Sequence, residues 1–372
     1  MLVAYGQAAR PGAEPKPLMA EDVFKNVQLL KGIPVKEFMD TMGFFSAATS
    51  LNCIDCHAAQ ESNESLEGYA ADTPLKQTAR KMILLVNMIN QSTFGGQRKV
   101  TCYTCHRATD HPKTIPSLLE QYGTPEDDPD EVEIASNALG QPTNAISADQ
   151  ILDKYLQAIG GTPQLAKITG FVAKGTYEGY ETASEKVPLE IFASAPNKLT
   201  TIVHTQHGDS VSTFDGNRGW VAAADKLMRT LPLSGGDLAG ARIDAYLSFP
   251  AGIKQDFKWR TGFPSVAVND RPVQVIQEAG GGETGAKLYF DKESGLLARQ
   301  VRYSDTPVGV IPTQIDYSDY RDVGGVKMAF HWVVTWTDGR STIELSELQP
   351  NVRIDPAKFA APPPPKNKPA TP

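Results

Sequence analysis

Cys53-Ile54-Asp55-Cys56-His57 and Cys102-Tyr103-Thr104-Cys105-His106 hold all four cysteines of the chain. Both runs are C-x-x-C-H, the attachment signature of c-type haem. Chemistry explains the spacing. Two thiols add across the two vinyl groups of one porphyrin, and the adjacent histidine is held beneath the iron as its proximal ligand. Two Cys-x-x-Cys pairs could instead build a four-sulfur zinc site, but that leaves both following histidines unexplained in a chain with only six. Disulfides and thioredoxin-type dithiols are the other readings; such dithiols normally sit within a βαβ pattern, which is missing from this sequence. The expectation is two covalently bound haem c groups, anchored by Cys53, Cys56, Cys102 and Cys105 and ligated by His57 and His106. Haem attachment in turn places the chain outside the cytoplasm, in the periplasm or beyond the cell.

The other axial position decides the chemistry, since an open one binds small molecules and a filled one favours electron transfer. Methionine opposite histidine is typical of electron-carrying cytochromes c. Each motif has a methionine upstream on an expected helix. Val35, Phe38, Met42 and Phe45 recur at three- and four-residue steps after the Gly32-Ile33-Pro34 break, predicting a helix over 35–48. Met82, Val86 and Ile89 mark one face of a second helix over 74–91, with Pro74 acceptable in its first turn. Spacing alone leaves Met39 and Met88 as competing sulfurs, because a methionine on an apolar face is often core filler.

A resemblance narrows that choice. Residues 21–107 resemble the cytochrome subunit family of photosynthetic reaction centres. The likeness lies in Glu37-Phe38 followed by Met42, in Cys53–His57, in Arg80-Lys81-Met82-Ile83 with Ile89-Asn90, and in Val100-Thr101 through Arg107. It implies that Met42 and Met82 are the distal ligands. It also implies a helical fold, with two haems packed as a pair about a local pseudo-twofold. The family's subunit usually holds four haems, and its loop before the second haem motif carries a further ligating histidine. Here Ser92 to Val100 contains no histidine and no third C-x-x-C-H follows. The chain thus reads as a two-haem version.

Beyond Arg107 the composition changes. Arg107 is a candidate partner for a haem propionate, or simply a solvated arginine, and His111 reads as a loop residue. Residues 108–145 are rich in proline and carry the acidic run Glu126 to Glu131, a solvated loop or a steering patch for a basic partner, with a short helix over Ser117–Tyr122. Ser147 caps a helix over 148–159 that ends at Gly160-Gly161. Alternating strands joined by tight turns follow, such as Asp215-Gly216-Asn217 and Gly324-Gly325, and predict a curled antiparallel sheet. His204 and His207 lie three apart on a strand pattern and so face opposite ways, which makes them poor co-ligands. His331 reads as structural. Residues 150–359 resemble the periplasmic lipoprotein-carrier (LolA-like) half-barrels, through Tyr155 to Gly161, Phe214 to Trp220, and Leu288 to Leu297. That family holds acyl chains on a concave apolar face.

The fold class expected is α + β in two domains: a small helical diheme cytochrome c domain, then an antiparallel β half-barrel. The divisions are a lead at 1–20, the cytochrome domain at 21–110, a linker at 111–146, the half-barrel with its leading helix at 147–360 and a Pro-rich tail at 361–372. Met1 to Ala9 lacks the basic start and apolar stretch of a full export signal and reads as an incomplete one. No apolar run is long enough to cross a bilayer. A net charge of −7 without basic runs leaves no nucleic-acid footprint. The leading function is an electron relay between redox protein partners, an electron carrier with no catalytic residues of its own. Two others stand beside it: a lipid- or partner-binding protein whose half-barrel joins chains into an oligomer or haem-bearing filament, and a diheme peroxidase, which needs one open axial position.

Overall fold

The computed structural model describes residues 17–57, 66–115, 146–179, 182–223, 230–261, 266–269, 271–280, 285–337 and 339–361. Residues 1–16 of the starting lead, the acidic run, the Ser117–Tyr122 helix and residues 362–372 of the Pro-rich tail lie outside them.

The first part is helical: α1 (Ala20–Val23), α2 (Val35–Thr49), α3 (Cys53–Cys56), α4 (Leu66–Ala70), α5 (Pro74–Phe94) and α6 (Cys102–His106). The boundaries follow local chemistry. The Thr73 hydroxyl accepts the Lys76 N–H at the start of α5, and Pro74 fills a position where its missing N–H costs nothing. Gly95 ends that helix in the left-handed region at φ 61°. No helix among the described residues is long and apolar enough to cross a membrane.

After α7 (Ala148–Ala158), whose expected Ser147 cap proves to be a reciprocal box with Gln150, come α8 (Thr162–Leu165) and the sheet. Its strands run in sequence from β1 (Gly170–Gly179), β2 (Val187–Ser194) and β3 (Lys198–Thr205) through β4 (Gly208–Phe214), β5 (Gly219–Ala223) and β6 (Thr230–Pro232). They continue with β7 (Trp259–Arg260), β8 (Val266–Val268), β9 (Arg271–Glu278) and β10 (Lys287–Asp291). Last come β11 (Leu297–Thr306), β12 (Gly309–Val323), β13 (Val326–Trp336) and β14 (Gly339–Pro350). All pairs are antiparallel, in the order β6-β5-β4-β3-β2-β1-β14-β13-β12-β11-β10-β9-β7, with β8 also on β9. The two ends of this open sheet are a three-residue and a two-residue strand, the short edges that discourage pairing with other chains.

The concave face is filled by α7, whose Ile151, Leu152, Tyr155 and Leu156 are buried, and by α9 (Gly235–Ser248), which contributes Ile243 and Tyr246 to the same core. Helix α9 touches β3 and β4 on one wing and β11 on the other. Sequence reasoning passed over it, because three glycines in 14 residues lower its helix propensity. The α + β architecture expected from sequence is the one observed.

The helical part sits against the sheet through the hairpin joining β11 to β12. Lys36 on α2 pairs with Asp237 of α9 at 2.8 Å and with Asp40, one turn on, at 2.5 Å. Two carboxylates thus share one ammonium. Burial lifts Asp40 to about 6, with Lys36 opposing and Asp237 adding to the rise. Burial acts the same way on Asp237, but Lys36 and the Ser304 hydroxyl outweigh it and hold that group low. A raised folded-state pKa means Asp40 contributes stability below its ordinary value of 3.8 and loses it as pH rises through about 6. Asp40→Asn is therefore expected to stabilise the protein by about 1–2 kcal/mol at pH 7.5 and not at pH 4, read from thermal melts at both pH values.

Candidate haem-attachment site

Each C-x-x-C run forms one helical turn, which sets its two sulfurs on one face. Helix α3 is capped reciprocally: the Asn52 side chain accepts the N–H of Ile54 and Asp55, and the Asp55 carboxylate accepts the Asn52 N–H at 2.8 Å. Thr101 and Thr104 play these parts for α6, where the Thr101 N–H donates to the Thr104 hydroxyl at 3.0 Å. None of the four sulfurs is in a disulfide. No cluster of three or more metal-ligating side chains occurs among the described residues.

Both following histidines are oriented from behind. His57 Nδ1 lies 3.0 Å from the Tyr69 carbonyl, and His106 Nδ1 lies 2.9 Å from the Thr109 carbonyl. A carbonyl can only accept, so each Nδ1 carries the proton and each Nε2 keeps its lone pair for a metal. Burial also pushes the His57 pKa down, which favours that neutral form. Tyr69 reaches His57 from α4, and the Thr73 hydroxyl donates to the Cys56 carbonyl at 2.7 Å, fixing the first turn to the start of α5.

The helices cross-pack. Helix α2, with Met42, lies against α6, while α5, with Met82, touches α3 and α6. The chain closes this arrangement where the Ala108 N–H meets the Ala48 carbonyl at 3.0 Å and the Ser50 hydroxyl meets the Ala108 carbonyl at 2.6 Å. The expected helix faces need correction. On α2 the buried positions are Val35, Thr41, Phe44 and Ala48, whereas Phe38, Met42 and Phe45 are only half-buried. On α5 only Ile83 and Asn90 are buried, and Met82 and Met88 are 40% and 59% exposed. The periodicity was real, but protein covers a neighbouring stripe.

This uncovered apolar surface is the test of whether a porphyrin fits. Leu75, Met82, Leu84, Leu85, Met88 and Phe94 of α5 are all exposed, as are Ile54 and Tyr103 between the paired cysteines. No comparably exposed large apolar side chain occurs among the described residues of the sheet domain. Soluble domains rarely leave such surface bare unless something sits on it. Thiols, free imidazole nitrogens and bare apolar walls converge, and the residues present fit two porphyrins.

The comparisons with known proteins point the same way. Residues 4–158 match the family model described as photosynthetic reaction centre cytochrome C subunit. Over 107 residues the chain is 34% identical to the photosynthetic reaction center cytochrome c subunit of Thermochromatium tepidum. That stretch is 28% of this chain, and it spans only 25% of that relative's length. Among solved structures, a LolA superfamily protein from Nitrosomonas europaea aligns over 58% of this chain and 99% of its own, at 12% identity and a TM-score of 0.40. A lipoprotein-sorting protein domain from Vibrio parahaemolyticus aligns over 56% and 94%, at 13% identity and a TM-score of 0.39. The reaction-centre cytochrome likeness thus falls in the N-terminal part of the chain, and the family match runs on through α7, beyond the 21–107 that carry its motifs.

One residue of that likeness has a role that sequence reasoning did not assign. Asn90 is buried in α5; its amide donates to the Val100 carbonyl at 2.7 Å, and its oxygen accepts the N–H of Lys99 and of Val100. It pins the segment leading into α6, so the second attachment turn is held to the Met82 helix. The visible signal was an asparagine inside an apolar run just before Gly95-Gly96. Asn90→Leu should cost about 2–3 kcal/mol, since it strands three backbone groups, and lower the yield of haem bound at the second motif, measured by mass. The remaining histidines lie away from the two motifs or on the surface. His204 pairs with Asp209 at 2.8 Å, His207 lies in the β3–β4 turn rather than on the strand expected, and His331 meets the Ser318 hydroxyl at 2.8 Å. Arg107 closes α6 in the left-handed region, and His111 pairs with Asp110 at the surface.

Proposed function

We propose that this protein is a diheme c-type cytochrome that relays electrons between redox partners outside the cytoplasmic membrane. The observation that carries the reading is the repeated unit: a C-x-x-C turn followed by an imidazole whose Nδ1 is tied to a carbonyl, beside an uncovered apolar helix. Cys53 and Cys56 would anchor one haem and Cys102 and Cys105 the other, with His57 and His106 as proximal and Met42 and Met82 as distal ligands. When bound, the haems supply one-electron chemistry. The polypeptide fixes their placement, excludes water and sets their potentials. Filled axial positions favour a carrier over a peroxidase. Mass spectrometry of native protein, with the pyridine haemochrome spectrum, tests this; a bare polypeptide mass would end the proposal.

A second reading concerns the half-barrel. A cavity of about 510 Å³ remains under its concave face, lined by Phe171, Leu189, Leu199, Tyr246, Phe249 and Trp332 among others. Arg302 and Asp244 pair at its wall. Such an apolar space suits a lipid or an apolar partner segment. Lipid extracted from the purified protein in stoichiometric amount would support it, and an empty extract would count against it.

A further inference from the structure

The hairpin between β11 and β12 is closed by its own hydrogen bonds. Thr306 pairs with Gly309 across the turn, and the Thr306 hydroxyl donates to the Gly309 carbonyl at 2.7 Å while accepting the Gly309 N–H at 3.1 Å. Thr306 is 1% exposed. The tip does not face solvent: Val308, with Ile311, forms one buried cluster with Phe44 and Ala48 of α2, Ile83 of α5 and Cys102 of α6. Those contacts touch α2, α5 and α6, three of the four helices that carry or adjoin the proposed haem anchors and ligands. Ile83 follows Met82, Cys102 is itself an anchor, and Phe44 is two residues beyond Met42.

Helical geometry gives these contacts their meaning. Two residues turn a helix by about 200°, so Phe44 and Met42 lie on opposite sides of α2. The hairpin therefore presses on α2 from behind, away from its methionine. At Gly309 there is no slack, because a Cβ placed there would lie 2.1 Å from Phe44 Cζ. Ion pairs fix the flanks: Lys36 with Asp237, and Arg98, ahead of α6, with Asp305. Packed interiors transmit displacement rather than absorb it.

We propose that the β11–β12 hairpin of the half-barrel is a positioning element for the haems, with Val308 and Gly309 setting how the Met42 and Met82 helices sit and thereby their potentials. This rests on the diheme reading above. It gives the half-barrel a part in electron transfer that requires no ligand in its cavity.

The test is a spectroelectrochemical titration of the full-length, haem-loaded protein and four variants. Gly309→Ala forces Phe44 back and should change the reduced-to-oxidised ratio of at least one haem about threefold at fixed ambient potential. Val308→Ala only thins the wedge and should give a smaller change. Phe44→Leu combined with Gly309→Ala makes room for the added methyl and should restore most of the original ratio. Val323→Ala, in the core at the far end of β12, should lower stability and leave both potentials unchanged. Wild-type potentials in Gly309→Ala and Val308→Ala, with haem bound, would overturn the proposal, and so would an equal shift in Val323→Ala. Absence of haem from the wild-type protein would instead remove the diheme reading beneath it.

Discussion

Cys102→Ala with Cys105→Ala is expected to yield a protein that carries one covalent haem instead of two. Thioether links require both the thiols and the helical turn that presents them, and each pair serves one porphyrin. The sheet domain should survive the change. Its core of α7, α9 and inner-face strand residues shares no residue with the cluster around Cys102, to which the sheet domain lends only Val308 and Ile311. Mass spectrometry should therefore show the loss of one haem, while far-ultraviolet circular dichroism keeps its strand signal. The matching Cys53→Ala with Cys56→Ala variant should lose the other haem. Two haems retained in either variant would mean that attachment does not follow the motifs.

Met82→Ala should alter the second haem more than any other single change in the helical part short of removing its anchors or its histidine. Loss of a thioether ligand opens an axial position and lowers the potential by on the order of a hundred millivolts, within the range of about 0.8 V that axial ligation spans. The as-isolated spectrum should gain high-spin character, and carbon monoxide should bind the reduced form. Met88→Ala, on the same helix and 59% exposed, should do neither. The same comparison separates Met42 from Met39, which is 47% exposed. If Met88→Ala opened the iron instead, the ligand assignment for the second haem would move by six residues along α5.

These variants would also test what was read from the sequence. Candidate cysteine and histidine positions could be read because covalent haem attachment demands a fixed local spacing, and a five-residue window holds all of it. The capped helix α7 and the alternating strands were legible for the same reason. The methionines were not settled by pattern, since a sulfur finds its iron across a tertiary distance. Periodicity put Val35, Phe38, Met42 and Phe45 on one face; Val35 is buried, but the other buried positions are Thr41, Phe44 and Ala48. On the diheme reading a haem would take the Met42 side of the helix, while a hairpin some 265 residues downstream covers Phe44 and Ala48. Helix α9 escaped because its glycines argue locally against helix. One of them, Gly236, leaves no room for a side chain, because a Cβ would lie 2.2 Å from the Tyr303 carbonyl oxygen. Contacts of that range leave no local trace.

The bare apolar flank of α5 has a consequence for how the cell must make this protein. On the diheme reading, the newly emerged chain presents Leu84, Leu85 and Met88 to every other unfinished chain around it until its haems arrive. The half-barrel has its own core and does not wait for them. Biogenesis then becomes a race between the attachment machinery and clumping or proteolysis at that one helix. Overproduction that outruns haem supply should leave truncated chains that begin near α7, the surviving remnant of molecules that lost the race.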